Sequence, residues 1–188
     1  MNQQALNDTK QITEDDFAAI VSERQQMVYN TALGIVQNEE DAEDVAQEVF
    51  LKVYDGLKKF RNESSLSTWI YRITITTALD FEKQKKRQKR GGLMQRVFGY
   101  AEADEKPDFF HPGVVLDKKE DAAVLFMAMK KLSEKQRTAF VLHKVEGLTN
   151  NEIAVIMGTT LLAVESLQVR AKNNLRNHLQ DYYKKHFN

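Results

Sequence analysis

Four histidines are the first residues to test for chemistry, and their spacing argues against it. His111, His143, His178 and His186 stand at no interval that would gather a metal ion, and there is no cysteine to join them. The lack of thiols removes disulfides, thiolate metal sites and thiol nucleophiles together and fits a reducing compartment. With no nucleophile beside a base, the reading is of a chain with no catalytic group, no bound metal and no cofactor, not an enzyme. Its chemistry is that of recognition. Basic and acidic residues balance at 27 each, but they are segregated. Residues 39–48 (EEDAEDVAQE) carry six acids and no base, and residues 83–90 (KQKKRQKR) carry six bases and no acid. Charge separated in this way predicts different partners for different patches.

The elements that must position those patches are helical. Among 188 residues there are only two prolines and eight glycines, and apolar residues recur at intervals of three and four. A first helix is expected from Asp15 to Val36, with Phe17, Ile20, Val21, Val28 and Ile35 on its buried face. Asn38 caps a second, whose opening acids Glu39, Glu40 and Asp41 lie at the positive end of the helix dipole. Its core stripe is Ala42, Val45, Ala46, Val49, Phe50 and Val53. After a polar loop at 58–65, Ser67 is the expected cap of a long helix that carries the basic run and ends at Gly91-Gly92. Residues 92–121 hold both prolines and no clear period, and read as a flexible linker. The expected fold class is therefore all-α, with two helical domains, 1–91 and 122–188, joined by a linker at 92–121. No apolar run approaches the roughly 18 residues of a membrane span. The start, MNQQALNDTK, lacks the basic and apolar regions of a secretory signal. A soluble, cytoplasmic chain with no membrane insertion is expected.

The second domain carries the more specific pattern. Ser133 and Gln136 form an S-x-x-Q box, Thr149 and Glu152 a T-x-x-E box, and Gly147 and Gly158 close the helices that follow. A helix from Glu134 to Glu146, a short one from Asn150 to Met157, a turn at Gly158-Thr159-Thr160 and a longer helix from Leu161 compose a helix-turn-helix. Ile153, Ala154, Met157, Val164, Leu167 and Ala171 would form its small core. That leaves Leu162, Glu165, Ser166, Val169 and Arg170 facing DNA, with Lys172 and Arg176 available for phosphates. Glu165 can accept from a cytosine amino group, and Leu162 or Val169 can touch a thymine methyl.

In the first domain, Asp44, Gln47, Glu48 and Leu51 sit at i, i+3, i+4 and i+7, a polar stripe with an exposed leucine beside the buried one. Such a stripe suits docking on another protein. The long helix carries Arg72, Thr76, Lys83 and Arg87 on roughly one face, and six bases in eight residues exceed what a helix dipole requires, so phosphate binding explains them better. The preceding loop offers Phe60, Arg61, Asn62, Ser64 and Ser65, an aromatic and small polar groups suited to an unstacked base. Trp69, close behind, is read as a core residue.

These segments together resemble a known family. DAEDVAQEVFLKVY (41–54), FRNESSLSTWIYRI (60–73) and LSEKQRTAFVLHKVEGLTNNEIAVIMG (132–158) are similar to the extracytoplasmic-function group of bacterial RNA polymerase sigma factors, which belongs to the sigma-70 family. The likeness covers nearly the whole chain outside the linker and the extreme ends. It implies that 1–91 is sigma region 2 and 122–188 is region 4. It further implies that Asp44, Gln47, Glu48 and Leu51 dock on the clamp helices of the polymerase beta-prime subunit. The loop at 58–65 with Arg72, Thr76, Lys83 and Arg87 would read and melt the minus-ten element, and the helix from Leu161 would read the minus-35 element. The implied partners are core RNA polymerase (beta-prime clamp helices and beta flap), promoter DNA and an anti-sigma protein. The chain departs from the family in two places. Thr76 stands where many members have asparagine, and Val164-Glu165-Ser166-Leu167-Gln168 replaces a V-K-S-R-L core, removing two phosphate anchors. Two rivals share parts of the pattern: a dimeric helix-turn-helix regulator, which leaves the Asp44–Leu51 stripe and basic helix unexplained, and a sigma mimic that titrates an anti-sigma partner.

Overall fold

The computed structural model describes residues 13–61, 63–95 and 119–187. Among them there are seven helices and no strand, in keeping with the all-α expectation. The first, α1 (Glu14–Val36), opens on a capping box: Thr13 Oγ1 accepts from the Asp16 N–H at 3.1 Å, and the Asp16 carboxylate accepts from the Thr13 N–H at 3.0 Å. It closes on Gln37, which adopts the left-handed conformation (φ 58°) to return its N–H to the Leu33 carbonyl. Asn38 then caps α2 (Glu39–Leu57), its side chain accepting from the Asp41 N–H at 2.9 Å. A cap of this kind contributes about 1 kcal/mol.

The third helix, α3 (Leu66–Gln95), corrects two expectations. Its cap is Ser65, whose Oγ accepts from the Thr68 N–H at 3.1 Å, and Ser67 lies inside the first turn. It also runs through Gly91-Gly92 instead of ending there. Glycine permits a left-handed stop without compelling one, and two glycines inside a long helix cost only about 1 kcal/mol each. The helix thus takes 92–95 from the expected linker, and α4 (Lys119–Lys130) takes 119–121. The rest of the linker lies outside the described residues.

In the second half, α5 (Glu134–Lys144) is capped by Ser133, and α6 (Asn150–Met157) by a full Thr149–Glu152 box. Gly158, at φ 61°, ends α6, and Thr160 Oγ1 accepts from the Ala163 N–H at 3.2 Å to start α7 (Leu161–Phe187). The bend from α6 to α7 is 104°, within the range that defines a helix-turn-helix.

Helices α1, α2 and α3 enclose Val28, Leu33, Ile35, Val45, Val49, Val53 and Ile70, all fully buried. This core does not stop at the end of the first unit. It continues through Phe126 and Met129 of α4, Val141 of α5 and Ala171 and Leu175 of α7. The backbones come close at Gly34, where an added Cβ would lie 2.7 Å from Val141 Cγ1. A glycine there lets α5 rest on α1. A second cluster joins Tyr71 of α3 to Leu142, Ile153, Ile156 and Val164 of the helix-turn-helix. The two helical units are packed face to face.

Candidate nucleic-acid and polymerase interfaces

On α2 the buried stripe of Ala42, Val45, Val49 and Val53 leaves Asp44, Gln47, Glu48 and Leu51 outside, all exposed, Leu51 to 67%. Glu48 is held by Lys52 at 2.7 Å, and Lys52 also donates to Thr77 Oγ1 of α3 at 3.1 Å, which fixes the stripe against the body of the unit. Tyr54, 45% exposed, lies three residues beyond Leu51 and extends the same face. The i, i+3 spacing from Leu51 could have revealed it.

Beyond α2 the chain turns at Phe60, whose ring centroid stands 4.9 Å from that of Trp69 on α3. The indole lies so close to α2 that a Cβ on Gly56 would be 2.7 Å from its Cζ2. A cleft of about 530 Å³ opens here, lined by Gly56, Phe60, Arg61, Ser64, Trp69 and Arg72 among others. Trp69, assigned to the core, is therefore half-buried and also a wall of this cleft. Arg61 and Ser65 are exposed and Ser64 half-buried, while Asn62 lies outside the described residues. The Ser65 hydroxyl is engaged locally as the cap of α3 and donates to Thr68 Oγ1 at 2.9 Å.

Along α3, Arg72, Thr76, Lys83 and Arg87 project from one side, as the spacing requires, and all are exposed. Their surroundings differ. Lys83 and Arg87 face solvent, with Lys83 3.4 Å from Asp80. Arg72 instead reaches across to the helix-turn-helix, donating from Nη2 to the Val155 carbonyl at 2.7 Å and from Nε to the Ile156 carbonyl at 3.3 Å. These carbonyls lie at the C-terminal end of α6, where the helix dipole favours a cation, and the Val155 carbonyl also accepts from the Gly158 N–H at 3.3 Å. Arg72 and Thr76 line a cleft of about 280 Å³ with Glu134, Thr138, Ile156 and Met157. The charge runs also meet: Lys85 pairs with Asp41 at 2.6 Å.

Two further contacts join the units. Tyr71 donates to Glu146 Oε2 at 2.9 Å, while Glu146 Oε1 is buried without a partner. Burial pushes the Glu146 carboxyl up to about 7, and the Tyr71 hydrogen bond opposes that rise. Burial, reinforced by the neighbouring Glu146 charge, also raises the Tyr71 hydroxyl. Arg137, itself buried, pairs with Glu82 of α3. None of Tyr71, Glu82, Arg137 or Glu146 carries a local signal, because their partners are 55 or 75 residues away in sequence.

On α7 the stripe of Leu162, Glu165, Val169, Lys172 and Arg176 is exposed, Leu162 to 76% and Val169 to 60%. Arg170 is exposed beside it and Ser166 is half-buried. Gln168 is tied to Asn150 of α6 at 2.9 Å and so braces the angle between the two helices. Among the described residues no group of three or more metal-ligating side chains comes together.

Residues 20–88 match the family described as Sigma-70 region 2, and residues 123–175 the family described as Sigma-70, region 4. The RNA polymerase sigma-H factor of Pseudomonas aeruginosa is 30% identical over 166 residues, which span 87% of this chain and 86% of the relative. The ECF RNA polymerase sigma-E factor of Haemophilus influenzae is 27% identical over 184 residues, 91% of this chain and 97% of its own. The chain belongs to the extracytoplasmic-function sigma factors. As a sigma factor it is a transcription initiation factor and not itself a catalyst. Its fold is that of the sigma factor RpoE, solved in complex with the anti-sigma factor NepR from Bartonella quintana (TM-score 0.64, 22% identity, 88% of this chain and 98% of that one). It is equally that of CnrH, solved with the cytosolic domain of CnrY (TM-score 0.63, 20% identity, 90% of each chain). Within this sigma factor the α2 stripe, the aromatic cleft and the α3 face to Arg87 all fall in the region 2 match. The α7 stripe falls in the region 4 match except for Arg176, one residue past its end. No single helix among the described residues is long and apolar enough to cross a membrane.

Proposed function

We propose that this sigma factor binds core RNA polymerase through Asp44, Gln47, Glu48 and Leu51, with the beta-prime clamp helices as the surface they meet. In this reading, Leu162, Glu165, Ser166, Val169 and Arg170 enter the major groove at the minus-35 element, with Lys172 and Arg176 on its phosphates and the beta flap beside region 4. The minus-ten strand is taken by the Phe60–Trp69 cleft with Arg61, Ser64 and Ser65, and its phosphates run along Arg72, Thr76, Lys83 and Arg87.

The observation that carries the reading is the continuity of that last path. Four side chains lie within about 60° of one another around α3, and the cleft that could receive a base opens at the foot of the same face. An aromatic wall returns part of the few kcal/mol that unstacking a base costs, and the cations supply the sequence-independent attraction. The α7 stripe is poorer in cations, so it serves as a modest reader within a larger assembly. An anti-sigma protein is a further partner in this reading, supported by the similar fold of a sigma factor solved with one.

Reconstitution tests the reading. Added to core polymerase from the same organism, the chain should direct initiation from a subset of a promoter library, with start sites at a fixed distance from shared upstream elements. Tight operator binding by the free chain, with no initiation in the presence of core enzyme, would replace this reading with that of a stand-alone regulator.

A further inference from the structure

The basic run of α3 has no apolar footing. The helix packs on the core through Ala78, Leu79 and Phe81, but residues 82–92 (EKQKKRQKRGG) hold no hydrophobic side chain to continue that contact. What ties this stretch to the first unit is charge. The Lys85 ammonium lies 2.8 Å and 2.6 Å from the two carboxylate oxygens of Asp41, in the first turn of α2, and both side chains are partly buried. Lys85 falls between Lys83 and Arg87 in sequence, yet at about 100° per residue it stands about 160° around the helix from each. It turns to α2 while they are exposed. About three turns further along α2, Lys52 donates to Thr77 of α3 at 3.1 Å and holds Glu48 of the docking stripe at 2.7 Å. The antiparallel pair is thus pinned at two levels, by lysines reaching in opposite directions.

We infer that Asp41 and Lys85 are positioning residues: their ion pair braces the distal half of α3 against the polymerase-docking helix and holds Lys83 and Arg87 in line with the aromatic cleft. Lys85 itself is not a phosphate anchor. A lysine already neutralised by a carboxylate adds little to the counterion release that drives binding to DNA. The six bases of the run therefore divide between two tasks, and the brace makes the docking stripe and the DNA path parts of one rigid body. The inference rests on the readings of the α2 stripe and the α3 face given above.

The test uses holoenzyme formed with core polymerase, a promoter recovered from the library above, and a temperature well below the melting midpoint of every variant. Lys85→Met should slow strand opening, read by permanganate footprinting, about fivefold or more. It should leave polymerase affinity within about twofold and the salt dependence of promoter binding unchanged. Arg87→Met should instead flatten that dependence, by about 0.7–0.9 in slope for the lost phosphate contact. Asp41→Asn should match Lys85→Met. Lys85→Arg, and the reversed pair Asp41→Lys/Lys85→Asp, should restore opening to within about twofold of the unaltered chain, as a charge brace requires. Should the reversed pair not fold, Lys85→Arg and Asp41→Asn carry the test. A slope flattened by Lys85→Met would make Lys85 a phosphate anchor and overturn the brace. Opening at the unaltered rate in both Lys85→Met and Asp41→Asn would overturn it too, as would slow opening in Lys85→Arg. No opening by the unaltered chain, or unchanged slopes in Lys83→Met and Arg87→Met, would sink the readings beneath the inference and this role with them. Failure of the brace alone is read at Lys85 and Asp41.

Discussion

Replacing Glu146 by glutamine should abolish most of the pH dependence of contact between the two units. Glu146 sits at the end of α5 with one carboxylate oxygen on the Tyr71 hydroxyl and the other buried and unpartnered. Burial lifts its pKa from the ordinary 4.5 to about 7. The packed unit therefore binds more protons than the separated one between those values. The sign follows: this group's contribution is complete below about pH 4.5 and is lost as pH rises through about 7. At about 1.4 kcal/mol per pH unit, the loss amounts to about 3 kcal/mol. Glutamine keeps an acceptor for Tyr71 and removes the charge. With dyes on cysteines placed at the exposed Asp55 and Lys172, energy transfer in the native sequence should fall between about pH 4.5 and about 7. In Glu146→Gln it should stay flat and, at the upper end, report contact tighter by as much as about a hundredfold. The other groups near the pair are Arg24 of α1, whose charge opposes the rise of Tyr71, and Glu152 of α6, which adds to it. An unchanged slope in Glu146→Gln would refute the assignment, and a flat native profile would show that separation does not expose this carboxyl.

Three other outcomes are expected. Gln47→Ala with Glu48→Ala should weaken binding to core polymerase about tenfold while leaving helicity and the melting midpoint nearly unchanged, because both side chains are exposed; unaltered affinity removes the docking assignment. Glu165→Lys should change the preferred upstream sequence, by about 1–3 kcal/mol at the base pair read, while open-complex formation on a fixed promoter stays within a few-fold. Gly56→Ala drives a methyl into the Trp69 indole, at 2.7 Å from Cζ2, and should cost about 1–3 kcal/mol of stability. The same substitution should reduce strand opening more than polymerase binding, as read by permanganate footprinting against a binding assay.

The parts of the fold legible in the sequence are those whose signals are local. Asn38, Ser133 and Thr149 cap the helices that their side chains predict, and Gly158 makes the turn of the helix-turn-helix. The α2 stripe divides into buried and exposed residues as its period requires, because α1 and α3 enclose one side only. Helix α4, of which only 119–121 fell in the expected linker, was not marked out as an element for the opposite reason. Val124, Phe126, Ala128 and Met129 are all buried, so its apolar residues occupy more than one face and leave little period to detect. The expected stop at Gly91-Gly92 failed because a glycine pair records a permission that the rest of the helix did not use. The site was legible as a set of stripes, whereas the bonding of Arg72 to the end of α6 was not. It depends on partners more than 80 residues away for Arg72, and contacts of that range leave no trace in spacing.

The unbroken course of α3 has a consequence of phase. Arg72, Lys83 and Arg87 share one side only because no turn interrupts the helix between them. Each residue advances the helix by about 100°, so a single insertion after Phe81 would swing Lys83 and Arg87 away from Arg72 and split the path in two. An insertion of seven would restore the alignment to within about 20° while moving the basic end about 10 Å outward. The helix thus acts as a ruler whose divisions come in whole turns, and length polymorphism within it is tolerable only in those steps.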